Sequence, residues 1–193
     1  MEAGTPYCLF DTAIGICGVA WSERGLMRLQ LPEADRRATE NRLRARSARP
    51  EAEDPSPATA RAIADVRRYL AGNEVDFSSV ALDLASVSPF HRKVYEAARS
   101  IGWGRVSSYG ELSRLAGSPG EAREVGQALA RNPVAIIIPC HRILAKDKRN
   151  GTTIGGFSAY GGILTKQRLL ALEGVSLCDD APFLPGLSPA GRQ

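Results

Sequence analysis

The chain has 193 residues, 44% of them hydrophobic and 24% charged, with a net charge of +4 and a pI near 9.0. This is ordinary globular composition, with room for one domain or two small ones. No apolar run approaches the roughly 18 residues of a membrane span, and the N-terminus lacks the basic start and apolar core of a secretory signal, so a cytoplasmic location is the expectation.

Four cysteines (Cys8, Cys17, Cys140, Cys178) form no CxxC pair, and His91 and His141 complete no zinc-finger spacing, so no metal site is expected. Cys8 and Cys17 lie in apolar, strand-like sequence and read as small buried hydrophobes. Charge is uneven. From Phe90 to Val175 there are 13 Lys/Arg against 6 Asp/Glu, a net +7, which leaves −3 for the rest. A basic C-terminal half points to a polyanion partner.

In chain order, apolar runs between turn signals predict strands at Tyr7–Phe10, Ile14–Trp21 and Leu26–Leu31. Glu33–Arg46 reads as a polar helix whose arginines form a solvated face. RPEAEDPSP, ending at Pro57, reads as a loop. Pro57 opens a helix through about Leu70, stopped by Gly72-Asn73. Ser88-Pro89 caps a further helix with Phe90, Val94 and Ala97-Ala98 at helical spacing. Trp103–Val106 is an extended link, and His91 reads as a helix-surface histidine.

SYGELSRLA, Ser108 to Ala116, is a short helix with Ser108 and Glu111 in capping-box relation. Gly117-Ser118-Pro119-Gly120 breaks it, and Glu121–Arg131 forms a second helix. Two short helices across such a break make a helix-turn-helix pattern, whose second helix commonly docks on DNA.

NPVAIIIPCHR follows, Asn132 to Arg142. A reactive cysteine needs its thiolate, which a nearby imidazole or cation favours. Side chains of adjacent residues diverge, so Cys140 and His141 would need a bridging water and a third group to orient the ring. Glu173, at the end of ILTKQRLLALEG, is the candidate. On these residues alone, a nucleophilic and a structural Cys140 both stand.

NPVAIIIPCHRI resembles the active-site signature of the methylated-DNA–protein-cysteine methyltransferases, the O6-alkylguanine-DNA alkyltransferases. GRVSSYGELSRLAG, EAREVGQALARNP and LTKQRLLALEG resemble the same family in the same order, from about Ser88 to Val175. The resemblance implies a ribonuclease-H-like α/β domain over residues 1–87. It implies a mostly α domain with a winged-helix-like helix-turn-helix over 88–175. The tail over 176–193, with three prolines and two glycines after Ser176, reads as poorly ordered. The resemblance also implies irreversible transfer of an alkyl group from O6-alkylguanine in double-stranded DNA to Cys140, with O4-alkylthymine a second candidate lesion. A monomer working without a cofactor is expected.

By resemblance, Cys140 matches the alkyl acceptor. His141 matches the histidine that draws the thiol proton through water, and Glu173 the acid that orients it. Asn132 matches the residue tying the recognition helix to the active-site loop. Tyr109 matches the tyrosine that crowds the target phosphate, and Arg123 the arginine that fills the gap left by the flipped base. Arg142 completes the signature as a structural residue.

The region Leu144–Tyr160 is longer than the family pattern. Phe157-Ser158 or Ala159-Tyr160 could supply its aromatic-plus-serine pair; Phe157-Ser158 is preferred, with Ile143, Phe157 and Ser158 lining the lesion pocket. Lys146, Lys148 and Arg149 make this loop basic. Three rival readings remain: a lesion sensor without transfer, a helix-turn-helix regulator and a cysteine hydrolase. The first normally lacks the acceptor cysteine, the second has no need of PCHR, and the third is disfavoured by the adjacent Cys-His pair.

Overall fold

The computed structural model describes residues 5–45, 54–147 and 151–176. Arg46, Lys148, Arg149, Cys178 and most of the 49–57 loop and the C-terminal tail lie outside these residues.

Three antiparallel strands come first: β1 (Tyr7–Thr12), β2 (Gly15–Ser22) and β3 (Gly25–Gln30), in the order β1-β2-β3. Gly15 and Gly25 turn the two hairpins at φ +124 and +134, a region that disfavours side chains. At Gly25 an added Cβ would also sit 2.4 Å from the Ala81 carbonyl oxygen. The predicted polar helix is shorter than read, α1 (Arg36–Arg44). Asp35 starts it by accepting from Ala38 N at 2.7 Å, because a side-chain acceptor at that point satisfies an otherwise orphaned amide. Thr39 and Leu43 are the residues α1 buries, with Leu43 packed in a small cluster with Tyr7 and Ala20.

Helix α2 (Pro57–Leu70) follows the sequence reading, with Ser56 as its cap and Pro57 in the first turn. Its apolar stripe, Ala62, Ile63, Val66, Tyr69 and Leu70, is buried. Full burial of a residue such as Val66 contributes roughly 1.5–3 kcal/mol, so a charge there would be expected to detach the helix.

The second half is helical: α3 (Pro89–Arg99), α4 (Tyr109–Leu115) and α5 (Ala122–Ala130) pack against one another. The capping box at Ser108 and Glu111 is formed in both directions. Gly117 and Gly120 adopt φ +74 and +94 between α4 and α5. Tyr95 on α3 donates to the Ala128 carbonyl at 2.8 Å, fixing α5 from behind.

The long loop is not irregular throughout. β5 (Ile143–Asp147) and β6 (Gly151–Thr153) pair antiparallel, and β4 (Ser107–Ser108) pairs parallel with β5. The extra length is thus largely a hairpin. Its alternation was too short to read, and its pairing with β4 is long-range. α6 (Ile163–Leu172) closes the fold.

One apolar core runs through both halves, from Cys17 and Val66 to Val125 and Leu169. Leu29 N donates to Pro133 O at 3.0 Å, and Leu29 bridges to Val134. The last strand of the first sheet is therefore hydrogen-bonded to the segment leading to Cys140. Among the described residues, no helix is long and apolar enough to cross a membrane.

Candidate active site

Asn132 closes the loop that carries the cysteine. Its side-chain oxygen accepts from Val134 N at 2.9 Å, while Nδ2 donates to Ile138 O at 2.8 Å and to Cys140 Sγ at 3.1 Å. Between these points the chain reverses through Ile136, which sits at φ 70. A β-branched residue pays strain in that region. Burial of its side chain and the Ile138 N to Val134 O bond hold it there. Pro139 then starts a 3₁₀ turn over Cys140–Arg142.

Behind the cysteine lies a buried polar cluster. Glu173 caps the C-terminus of α6. Its Oε1 lies 2.8 Å from His141 Nε2, and Arg142 Nε donates to Oε2 at 2.9 Å. Arg142 also bonds the Ile101 carbonyl. Gly104 N donates to Glu173 Oε2 at 3.2 Å. Tyr69, from α2, donates to Oε1 at 2.6 Å and lies 3.1 Å from His141 Nε2. Burial works to raise the Glu173 pKa, but these donors outweigh it and bring it down to about 2. His141 is held below its ordinary value by burial, against the pull of Glu173. Among the described residues its Nδ1 is buried with no hydrogen-bond partner.

Adjacent side chains diverge, as the sequence suggested: Cys140 Sγ is bonded by Asn132, and no direct Cys140–His141 side-chain bond is present among the described residues. Burial pushes the Cys140 thiol up, opposed by the Asn132 hydrogen bond and by Lys166. Lys166 on α6 is fully buried, with Nζ donating to Ile143 O at 2.5 Å. Burial brings its pKa down to about 8, opposed by the charge of Cys140.

The thiol opens on a cavity of about 280 Å³ lined by Tyr109, Gly126, Leu129, Phe157 and Ser158. A second, more polar cavity of about 300 Å³ reaches Cys140 from the side of Arg28, Arg42 and Arg131. Tyr109 is half-buried, its hydroxyl pKa raised by burial and by Cys140. Gly126 lies against its ring, which an added Cβ would meet at 3.7 Å. Phe157 is half-buried and Ser158 exposed, whereas Tyr160 is 54% exposed and lines neither cavity.

Two expected residues stand apart. Arg123 is exposed on the first turn of α5, outside the buried cluster. Ile143, expected in the lesion pocket, lines neither cavity. Its side chain is fully buried in the core on β5, and its contribution is the carbonyl that holds Lys166. His91 is half-buried rather than free on the surface, packed between Phe90 and Tyr95.

Sequence reasoning missed Tyr69 and Lys166. Lys166 had a signal, since it lies seven residues before Glu173 and so shares its helix face. Tyr69 had none, because it meets Glu173 from 104 residues away.

Comparison with known proteins identifies the family. Residues 6–84 match the family model for the ribonuclease-like domain of 6-O-methylguanine DNA methyltransferase, and residues 89–175 match its DNA-binding domain. The chain belongs to the methylated-DNA–protein-cysteine methyltransferase family. A family member from Sulfolobus acidocaldarius is 35% identical over 89% of this chain and 94% of its own. One from Mycolicibacterium paratuberculosis is 42% identical over 60% of this chain and 66% of its own. The crystal structure of Mycobacterium tuberculosis OGT in complex with DNA superposes with a TM-score of 0.66 at 32% identity, covering 87% of this chain and 92% of that one. The family architecture is accordingly a mixed α/β N-terminal domain followed by a helical DNA-binding domain.

Proposed function

We propose that this methyltransferase repairs O6-alkylguanine in double-stranded DNA by moving the alkyl group to Cys140. As a member of its family it is a transferase of direct-reversal DNA repair. The observation that carries the residue assignment is the position of the thiol. Cys140 opens on an apolar-walled cavity in front, with the buried His141–Glu173 pair behind it.

A base inside a duplex hides its O6, so the nucleotide is extruded into the cavity between Tyr109 and Phe157. Arg123, exposed at the start of α5, stacks where the base was and bonds its orphaned partner. The small residues Ala122 and Gly126 on the same helix let it approach the minor groove closely. Cys140 loses its proton through a bridging water to His141, whose charge Glu173 stabilises. Asn132 donates to the developing thiolate. Sulfur then bonds the alkyl carbon as the carbon–O6 bond breaks. Tyr109 donates to a ring nitrogen as charge develops on guanine, and the proton lost by the thiol balances the one guanine regains. The thioether is stable, so one molecule repairs one lesion.

The hairpin β5–β6, whose first strand packs beside α4, supports a winged-helix-like reading of the second domain. The three-stranded sheet carrying α1 and α2 supports a ribonuclease-H-like reading of the first. A lesion sensor is not favoured, because the acceptor Cys140 is present.

The deciding experiment is intact mass and peptide mapping after incubation with duplex DNA containing one O6-methylguanine. One added methylene mass on the Cys140 peptide is expected, and none in Cys140→Ala, which should still bind DNA. Lesion binding without mass gain would instead make the protein a sensor.

A further inference from the structure

Among the described residues, the buried cluster contains one side chain from the first half of the molecule. Tyr69 lies on the last turn of α2 and is fully buried. Its ring packs edge-on to Trp103 at 5.3 Å and tilted to Phe77 at 5.8 Å. Packing alone would be served by phenylalanine. The hydroxyl instead enters a three-way contact: 2.6 Å to Glu173 Oε1 and 3.1 Å to His141 Nε2, with those two atoms 2.8 Å apart.

Hydrogen-bond roles in this triangle are determined by chemistry. A carboxylate only accepts. The Tyr69 proton therefore goes to Glu173, and the tyrosine oxygen is left as an acceptor. His141 Nε2 then faces two acceptors, so it carries the ring proton, and the lone pair of a neutral ring falls on Nδ1. Nδ1 is the buried atom with no protein partner. We propose that Tyr69 is a positioning residue of the alkyl-transfer reaction, contributed by the N-terminal domain, which with Glu173 fixes His141 as the Nε2–H tautomer and leaves Nδ1 free to take the Cys140 proton. This rests on the alkyl-transfer reading of Cys140.

The other charged or titratable groups around His141 do not duplicate this role. Arg142 faces Glu173 and donates to it. Lys166 is engaged with the Ile143 and Gly156 carbonyls. Cys140 is engaged with Asn132. Tyr69 is the neighbour that contacts ring and carboxylate together. Its own pKa is raised, by burial first and by Glu173 second, so it remains a donor across the working pH range.

The chain has only two histidines, His91 and His141, which makes the test direct. In the wild-type protein labelled with nitrogen-15 at histidine, one ring should show a protonated Nε2 and a bare Nδ1 that does not titrate near neutrality. An Nδ1–H tautomer for His141 overturns the proposal. Tyr69→Phe keeps the ring and removes the hydroxyl. It should mix the His141 tautomers, slow transfer from free O6-benzylguanine about tenfold at neutral pH, and move the rising limb of the pH–rate profile to higher pH. It should have no further effect on the residual rate of His141→Asn. A profile unchanged or moved to lower pH, or an undiminished effect in His141→Asn, overturns it. Failure of wild-type protein to alkylate Cys140 would sink the functional reading instead, which separates the two.

Discussion

The two halves of the proposed machinery are built in opposite ways. The relay of His141, Glu173, Arg142 and Tyr69 is buried, with Glu173 Oε1 accepting from more than one donor. The side of α4 and α5 proposed to face DNA presents a half-buried Tyr109 and an exposed Arg123. Burial makes the relay rigid and charge-sensitive, and it should matter for any substrate. Exposure leaves Arg123 free to reach a duplex, and it should matter only when there is a base stack to fill. The same small molecule can therefore separate chemistry from base extrusion.

The largest break should come from Glu173→Gln. Single-turnover transfer from O6-benzylguanine and from duplex should fall together, by about 10²–10⁴-fold, the range of general acid–base contributions. Stability should fall too, by roughly 3–5 kcal/mol, because Arg142 is left buried without its counter-charge. A variant with full activity on either substrate would remove Glu173 from the relay. Arg123→Ala sharpens the contrast from the other side. Repair in duplex should slow about tenfold, since extrusion costs a few kcal/mol, while transfer from free O6-benzylguanine stays unchanged. Equal losses on both substrates would refute the stacking role.

The smallest effect is on stability against pH. His141 has a lowered pKa in the fold, so below about 6.5 the unfolded chain binds more protons and stability declines. Glu173 is depressed to about 2 from 4.5, so its contribution is fully present above about 4.5 and is lost as pH falls toward 2. Denaturant titrations between pH 4 and 8 should show a monotonic loss on the acid side. A flat profile would mean that His141 is not held below its ordinary value in the native protein, and a loss toward alkaline pH that it is charged there.

Much of this was legible along the chain. The Ser108–Glu111 capping box, the Ser88-Pro89 start and the Gly117–Gly120 break are local signals, because caps and turns are satisfied by residues three or four positions away. Cys140, His141 and Asn132 were likewise readable within one short segment. The hairpin of β5 and β6 was not, nor was the burial of Ile143 away from the cavity. Both depend on the long-range placement of β5, whose Ile143 pairs with Ser107, 36 residues earlier.

Sequence alone determined where most helices lie, the Asn132–Arg142 segment and the family pattern, since each is written in neighbouring residues or in a recognisable order of motifs. Only the tertiary structure decided which groups meet behind Cys140. Glu173 joins His141 across 32 residues and Tyr69 across 104. Long-range contacts like these depend on how helices pack into one core, and no local spacing encodes which buried hydroxyl will face which carboxylate.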